Sequence, residues 1–287
     1  MKRFFLIDAN SLIHRCFHAL PPFASKDGMA TGALYGLASV LLKIFREQAP
    51  DYVAAFFVRP ERTFRKEMFE EYKAHRPKAP NELVNQIIEA RKLFSRFGVK
   101  IYELPGFEAD DLIGTVTEKY KNLPDLKIVI LTGDLDAVQL VENDKVVVET
   151  FKKGISETII YNEEAAKIRF GVLPKQMPDY KSLVGDPSDN ILGVHGIGPK
   201  TAAPLIQKYG NLENLLEKGQ KEKAFNKIKE FEEQARLSKI LAQIHCSAPL
   251  ELNGLDELKY NGLPKESLSD YFEKLGFKTL INRINSA

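Results

Sequence analysis

Four short apolar runs, residues 3–7, 52–58, 99–104 and 127–131, constrain the fold of this chain most strongly. Each is rich in Val, Ile, Leu or Phe and is bounded by Asp, Gly or Pro, the pattern of a buried strand. Helix-period segments at about 31–47, 82–97 and 109–121 separate them. Strands alternating with helices predict an α/β fold: a mostly parallel sheet flanked by helices on both faces. Two further runs, 146–151 and 158–161, are split by Lys152-Lys153-Gly154 and predict an added antiparallel pair. Beyond about residue 162 the strand signals stop, Pro174, Pro178, Pro187 and Pro199 punctuate short helical stretches, and a charged helical run covers 220–244. The expected organisation is an α/β core over 1–170 and a helical domain over 171–287.

The carboxylates fall where strands end. Asp8 follows Phe5-Leu6-Ile7, Glu108, Asp110 and Asp111 follow the third run, and Asp134 and Asp136 follow Ile130-Leu131-Thr132-Gly133. In an open parallel sheet the C-terminal strand ends face one crevice, so separate segments deliver acids to one place. Crowded carboxylates raise one another's pKa, and a divalent cation relieves that cost. Oxygen donors without a Cys or His cluster suit Mg²⁺ or Mn²⁺. Taken singly, Asp110 or Asp111 also suits the first turn of a following helix. A fourth acidic group, Asp186 and Asp189 in Gly185-Asp186-Pro187-Ser188-Asp189-Asn190, reads alone as an Asp-Pro turn.

Charge and cysteine content set outer limits. The 287 residues carry 41 Lys and Arg against 39 Asp and Glu, a net charge of +2, which excludes a uniformly basic nucleic-acid coat but not separate acidic and basic faces. Cys16 and Cys246 form neither a disulfide framework nor a four-cysteine zinc site, and make a reducing compartment the default. No apolar run reaches the length of a membrane span, and Asp8 interrupts the N-terminal run too early for a signal peptide. Basic charge concentrates in the long connection 59–81, where Arg59, Arg62, Arg65, Lys66, Lys73, Arg76 and Lys78 interleave with Phe64, Phe69 and Tyr72. Interspersed Glu residues also allow a solvated helix with i,i+4 pairs.

The segment from Gly193 to Ala202, Gly-Val-His-Gly-Ile-Gly-Pro-Lys-Thr-Ala, matches neither common phosphate loop. Pro199 separates Gly198 from Lys200, against a Walker A loop, and no strand precedes it, against a dinucleotide fingerprint. It fits a helix-hairpin-helix at 185–208, where glycine amides and a helix N-terminus meet a DNA phosphate. A tight glycine turn between helices is the plainer alternative.

These pieces together resemble the 5′-nuclease domain of bacterial DNA polymerase I and its flap endonuclease relatives. The matching stretches are Leu6-Ile7-Asp8, Thr63-Phe64-Arg65-Lys66-Glu67, Tyr72-Lys73-Ala74-His75-Arg76, 106–111, 131–136, 185–190 and 196–202, in order across residues 3 to about 280. The resemblance implies a PIN/5′-nuclease-like α/β fold with a helical arch at 59–81 and a C-terminal helix-hairpin-helix domain. It implies a structure-specific nuclease that removes 5′ flaps and RNA primers with two Mg²⁺ or Mn²⁺ ions. By motif position Asp8, Glu108, Asp110 and Asp111 would serve one ion, and Asp134, Asp136, Asp186 and Asp189 the other. Lys73 and Arg76 would contact the scissile phosphate from an arch at 64–78. Phe64, Arg65, Arg15, His18, Gly196, Gly198, Lys200 and Thr201 would meet DNA, with K⁺ at the hairpin. Implied partners are flapped or RNA-primed DNA and a polymerase domain in the same or another chain. A monomer in a bacterial cytoplasm is expected.

One carboxylate is missing. The family's strand before the arch ends in Asp, and the matching position here is Val58. Either Val58 is an ordinary strand-end residue or a metal-site carboxylate has been lost, which would leave an impaired, DNA-binding member of the family. Leu135 stands where the family often has Lys. A shorter PIN-type ribonuclease is disfavoured by the 196–202 hairpin.

Overall fold

The computed structural model describes residues 1–25 and 27–285. The chain opens with β1 (Lys2–Asp8), α1 (Ala9–Ala19), α2 (Gly32–Gln48) and β2 (Tyr52–Phe56), followed by α3 (Phe64–Met68), α4 (Asn81–Arg96), β3 (Lys100–Tyr102), α5 (Ala109–Tyr120) and β4 (Leu126–Leu131). A 3₁₀ turn at Leu135–Leu140 leads into β5 (Val146–Lys153), β6 (Glu157–Tyr161) and α6 (Glu163–Phe170). The remainder is helical: α7 (Met177–Val184), α8 (Pro199–Tyr209), α9 (Leu212–Lys218), α10 (Phe225–Glu230), α11 (Glu232–Ala242), α12 (Lys265–Leu275) and α13 (Lys278–Asn285).

The strands form one sheet in the order β3-β2-β1-β4-β5-β6. All neighbours are parallel except β5 and β6, which pair antiparallel. The fold is therefore the mixed α/β sheet that the alternating runs predict. Strand alternation divides the core into two layers. Phe5 and Ile7 of β1 face α1, α2 and α4, whereas Phe4 and Leu6 face α5. Each fully buried Phe, Leu or Ile here contributes about 1.5–3 kcal/mol. A third apolar cluster holds α7 through α11 together, centred on Leu183, Ile206, Leu215 and Ile228.

The differences from expectation are local. The second and third runs continue in sequence but their strands stop at Phe56 and Tyr102, because the chain there leaves the sheet to build loops. Helix α1 follows Asp8 directly, and the apolar-run reading contains no helix there. The 220–244 run is two helices broken at Phe231. Residues 59–80 hold only one five-residue helix, α3, followed by turns. The last helices, α12 and α13, return to the first core layer, where Leu268, Phe272, Leu280 and Ile284 pack against it.

Candidate active site

The sheet's strand order reverses between β1 and β4, so their C-terminal ends splay apart above a crevice. Asp8 closes β1 and caps α1, accepting from the Ser11 backbone N–H at 3.0 Å and from the Thr132 hydroxyl at 2.9 Å. Thr132 follows β4. The Gly133 N–H donates to Ser11 Oγ at 2.8 Å, which ties the two strand ends together. Asp134 then caps the 3₁₀ turn by accepting from the Asp136 N–H at 2.9 Å. Glu108 precedes α5, and Asp110 lies in its first turn.

Asp8, Glu108, Asp110, Asp134 and Asp136 line one cavity of about 800 Å³, together with Lys73, Arg76, Arg15, His18, His14, Asn10 and Val58. The sheet register explains Val58: Asp8 lies opposite Phe56, so the chain leaving β2 emerges beside Asp8. The Val58 N–H donates to Asn10 Oδ1 at 2.9 Å, and its side chain packs against the α5 layer. An apolar side chain thus occupies this part of an otherwise acidic wall. Arg15 sits at the rim, donating to the Gly154 carbonyl at 3.0 Å, and His18 is exposed there.

The segment after α3 folds over the acidic wall. Lys73 adopts a left-handed backbone (φ 55°), a conformation that costs a non-glycine residue on the order of 1 kcal/mol or more. It is compensated by the bonds made there. The Lys73 ammonium lies 2.7 Å from Glu108 and 3.6 Å from Asp189. The Tyr72 hydroxyl reaches both Glu108 and Asp189 at 3.1 Å. Arg76 donates to Asp189 at 2.6 Å, and the Lys73 N–H to the Asp189 carbonyl at 2.9 Å. Asp186 and Asp189 come from the loop between α7 and α8. That loop crosses itself so tightly that any side chain at Gly193 would run into the backbone of Val184 and Gly185. Lys181 on α7 bridges Asp136 and Asp186, with 2.6 Å to Asp186. The basic and acidic motifs therefore meet at one cleft.

Two expected contributors point elsewhere. Arg65 is 2 % exposed and Asp111 is fully buried, and they form a two-pronged pair at 2.7 and 2.8 Å. Arg65 also donates to the Leu241 and Gln243 carbonyls, and Asp111 accepts from the Glu108 and His245 N–H groups. As placed, Arg65 is not at a DNA-accessible surface, and Asp111 does not line the cavity, because each satisfies the other in the interior. Phe64 is half-buried against Phe107 and His245. The hairpin residues Gly196, Gly198, Lys200 and Thr201 are exposed at the N-terminus of α8, outside the cavity lining.

Burial and repulsion leave the acids of the core wall unsettled. Desolvation raises Asp8 against the bonds from Ser11 and Thr132. Desolvation, then Asp136, pushes Asp134 up to about 7, although its carboxylate opens onto the cavity. Desolvation also raises Asp110 and Asp136. Asp186 differs: burial opposes its charge, but Lys181 and Ser188 hold it below the ordinary range. Asp8, Asp110, Asp134 and Asp136, each disfavoured in its charged form, are oxygen donors of the kind that suits hard divalent cations. Among the described residues no three His, Cys, Asp or Glu side chains converge tightly enough to hold an ion as they stand. Lys73, Arg76 and Lys181 engage the carboxylates instead.

Sequence reasoning assigned no role to Tyr72, Thr132, Asn10 or Lys181. Tyr72 lay inside a recognised motif. Lys181 carried no local signal, since its partners are Asp186 on the next loop and Asp136 on a distant turn.

Residues 3–171 match the 5′-3′ exonuclease N-terminal resolvase-like domain, and residues 172–266 match the 5′-3′ exonuclease C-terminal SAM fold. The chain belongs to the 5′-3′ exonuclease family. It is 40% identical to DNA polymerase I of Caldicellulosiruptor bescii, over 97% of this chain and 33% of the polymerase. It thus spans about a third of that relative's length. It is 33% identical to the 5′-3′ exonuclease of Aquifex aeolicus, over 99% of this chain and 96% of that one. In fold it is similar to the T5 D15 protein co-crystallized with metal ions, with a TM-score of 0.71 and 21% identity over 95% of this chain and 99% of that one. The family is one of nucleases, which are hydrolases. Among the described residues no helix is long and apolar enough to cross a membrane.

Proposed function

We propose that this chain is a structure-specific 5′-3′ exonuclease and flap endonuclease that hydrolyses DNA phosphodiesters with two Mg²⁺ or Mn²⁺ ions, removing 5′ flaps and RNA primers. The carrying observation is one cavity walled by Asp8, Glu108, Asp110, Asp134 and Asp136 and faced by Lys73 and Arg76. Asp8, Glu108 and Asp110 would hold one ion, and Asp134, Asp136, Asp186 and Asp189 the other. Bound there, the ions would supply an activated water and stabilise the leaving 3′ oxygen. Lys73 and Arg76 would release their carboxylate partners to the ions and turn to the scissile phosphate, balancing charge that grows on it. Residues 59–81, the arch of the family resemblance, would cover a single-stranded 5′ end. The exposed hairpin at Gly196–Thr201 would hold duplex backbone through amides and a helix N-terminus.

Val58 favours a second reading, a member of the family with reduced cleavage and retained DNA binding. Its apolar side chain stands on the cavity wall beside Asp8. Losing one anionic donor weakens cation binding on that wall, whereas phosphate contacts elsewhere persist. Cleavage of a 5′-labelled flap in Mg²⁺ and Mn²⁺, beside binding in Ca²⁺, separates the two. Cleavage at the single-strand/duplex junction supports the active enzyme; binding without cleavage supports the impaired one; neither sinks both. Val58→Asp is expected to raise the cleavage rate at limiting Mg²⁺, and an unchanged rate would remove Val58 as the cause of any impairment.

A further inference from the structure

The β5–β6 hairpin supplies no carboxylate to the cleft, yet its tip is tied to the rim by two helices. The turn is Gly154-Ile155-Ser156, between β5 and β6. Ile155 packs against the first core layer. The Lys43 ammonium on α2 donates to the Ser156 carbonyl at 2.8 Å. Arg15 Nε on α1 donates to the Gly154 carbonyl at 3.0 Å. Strand pairing shifts register between Phe151 and Lys153, an irregularity that bends a strand and re-aims its end. Gly154 then turns the chain at φ 54°, a left-handed conformation that favours glycine.

Arg15 is held at three points. Its stem passes the end of β4, where a Cβ added to Gly133 would stand 3.9 Å from Arg15 Cβ. Its guanidinium carbon lies 5.7 Å from the centroid of the buried Phe151 ring, a distance at which the ring attracts the cation. Its Nε–H is spent on Gly154. These contacts set the plane of the fork and leave its outer edge open. Among the described residues, no acceptor takes a hydrogen bond from either terminal nitrogen of Arg15, and no carboxylate pairs with it. Arg76, the other arginine lining the same cavity, is the opposite case. A terminal nitrogen of Arg76 is clamped on Asp189 at 2.6 Å, and its Nε on the Ser188 carbonyl at 3.3 Å.

We propose that Phe151 and Gly154 are positioning residues: the β5–β6 hairpin holds Arg15 so that its terminal nitrogens receive a backbone phosphate of the DNA strand entering the cavity. This rests on the reading above that the cavity binds DNA. A planar fork takes two phosphate oxygens at once only when its plane is correctly turned. Setting that plane beforehand spares the ordering of a flexible side chain at the moment of binding. A hairpin 139 residues from Arg15 in the chain thereby governs affinity for the strand. The contact reads no base, so the effect is independent of sequence.

The test is equilibrium binding of a 5′-flap DNA in Ca²⁺, which needs no turnover. It compares the natural chain, Phe151→Leu, Phe151→Tyr and a chain in which Gly154-Ile155-Ser156 is replaced by an Asn-Gly turn, each with and without Arg15→Ala. Phe151→Leu and the shortened turn are expected to raise Kd on the order of 10-fold, inside the coupling range for residues in contact. Phe151→Tyr, which keeps the ring, should bind as the natural chain does. Once Arg15 is alanine, neither hairpin change should raise Kd further, which separates positioning of Arg15 from a general loss of structure. Thermal melting identifies the variants that are folded at the assay temperature. An unchanged Kd in either folded hairpin variant overturns the proposal, and so does a loss of equal size in the Arg15→Ala background. Both results leave the nuclease reading standing, whereas a natural chain that fails to bind flap DNA overturns both.

Discussion

The two walls of the cleft hold the same residue type in opposite ways. On the core wall Asp8 and Asp110 are desolvated, with their charged forms disfavoured. On the hairpin-side wall Asp186 and Asp189 are met by Lys181 and Arg76 at 2.6 Å each, and Asp186 is held below the ordinary range. Lys73 spans both, 2.7 Å from Glu108 and 3.6 Å from Asp189. The contrast teaches that acidity alone does not define a cation site. The core wall is short of positive charge, whereas the opposite wall brings its own. Val58 deepens the difference, because the wall with less positive charge of its own has an apolar side chain beside Asp8.

The largest effect should come from removing the cation shared by both walls. Lys73→Ala is expected to lower single-turnover flap cleavage by roughly 10²–10³-fold, the range for losing one preorganised group that stabilises transition-state charge. A rate close to that of the natural chain would break the comparison, since Lys73 would then be only a clamp on the resting carboxylates.

Arg65→Met probes the region behind the core wall. It leaves Asp111 buried without its partner and should cost about 3–5 kcal/mol of stability in urea unfolding. Cleavage per folded molecule should fall far less than in Lys73→Ala, because Asp111 does not line the cavity. A cleavage loss matching that of Lys73→Ala at full stability would return Asp111 to the reacting centre.

The smallest effect should lie at a half-buried group outside the cleft. Lys100 first, then Tyr102 and the Asn253 N–H, hold Glu257 down to about 2. A carboxylate lowered in the folded state stabilises above its unfolded pKa, and that contribution fades as pH falls through the folded value. Glu257→Gln should therefore be slightly less stable than the natural chain at pH 7, with the gap closing between about pH 4.5 and 2. Thermal melting across that range checks it. A gap that widens in acid would reverse the sign of the assignment.

Much of the fold was legible because its signals are local. The apolar runs around Ile7 and Leu131 and the helix starting at Ala109 lie close to their expected limits, and Asp8 and Asp134 stand at strand ends as their positions in the chain require. Helix α1 escaped because it follows β1 without an intervening turn signal, its start being the Asp8 cap itself. The site was legible as a set of carboxylates but not as a division of labour. Asp110 and Asp111 are adjacent in sequence, yet a helix turns roughly 100° per residue. One therefore faces the cavity and the other faces Arg65, 46 residues earlier.

Sequence alone determined the alternating strands and helices, the acids at strand ends, the basic connection and the glycine hairpin, since each follows from periodicity or from the conformational demands of neighbouring residues. Tertiary structure alone decided which acids share a cavity, that Arg65 is spent on Asp111, and that Lys181 joins Asp136 to Asp186. The physical reason is that charge acts through distance and burial. Both arise only when segments far apart in the chain are packed against one another.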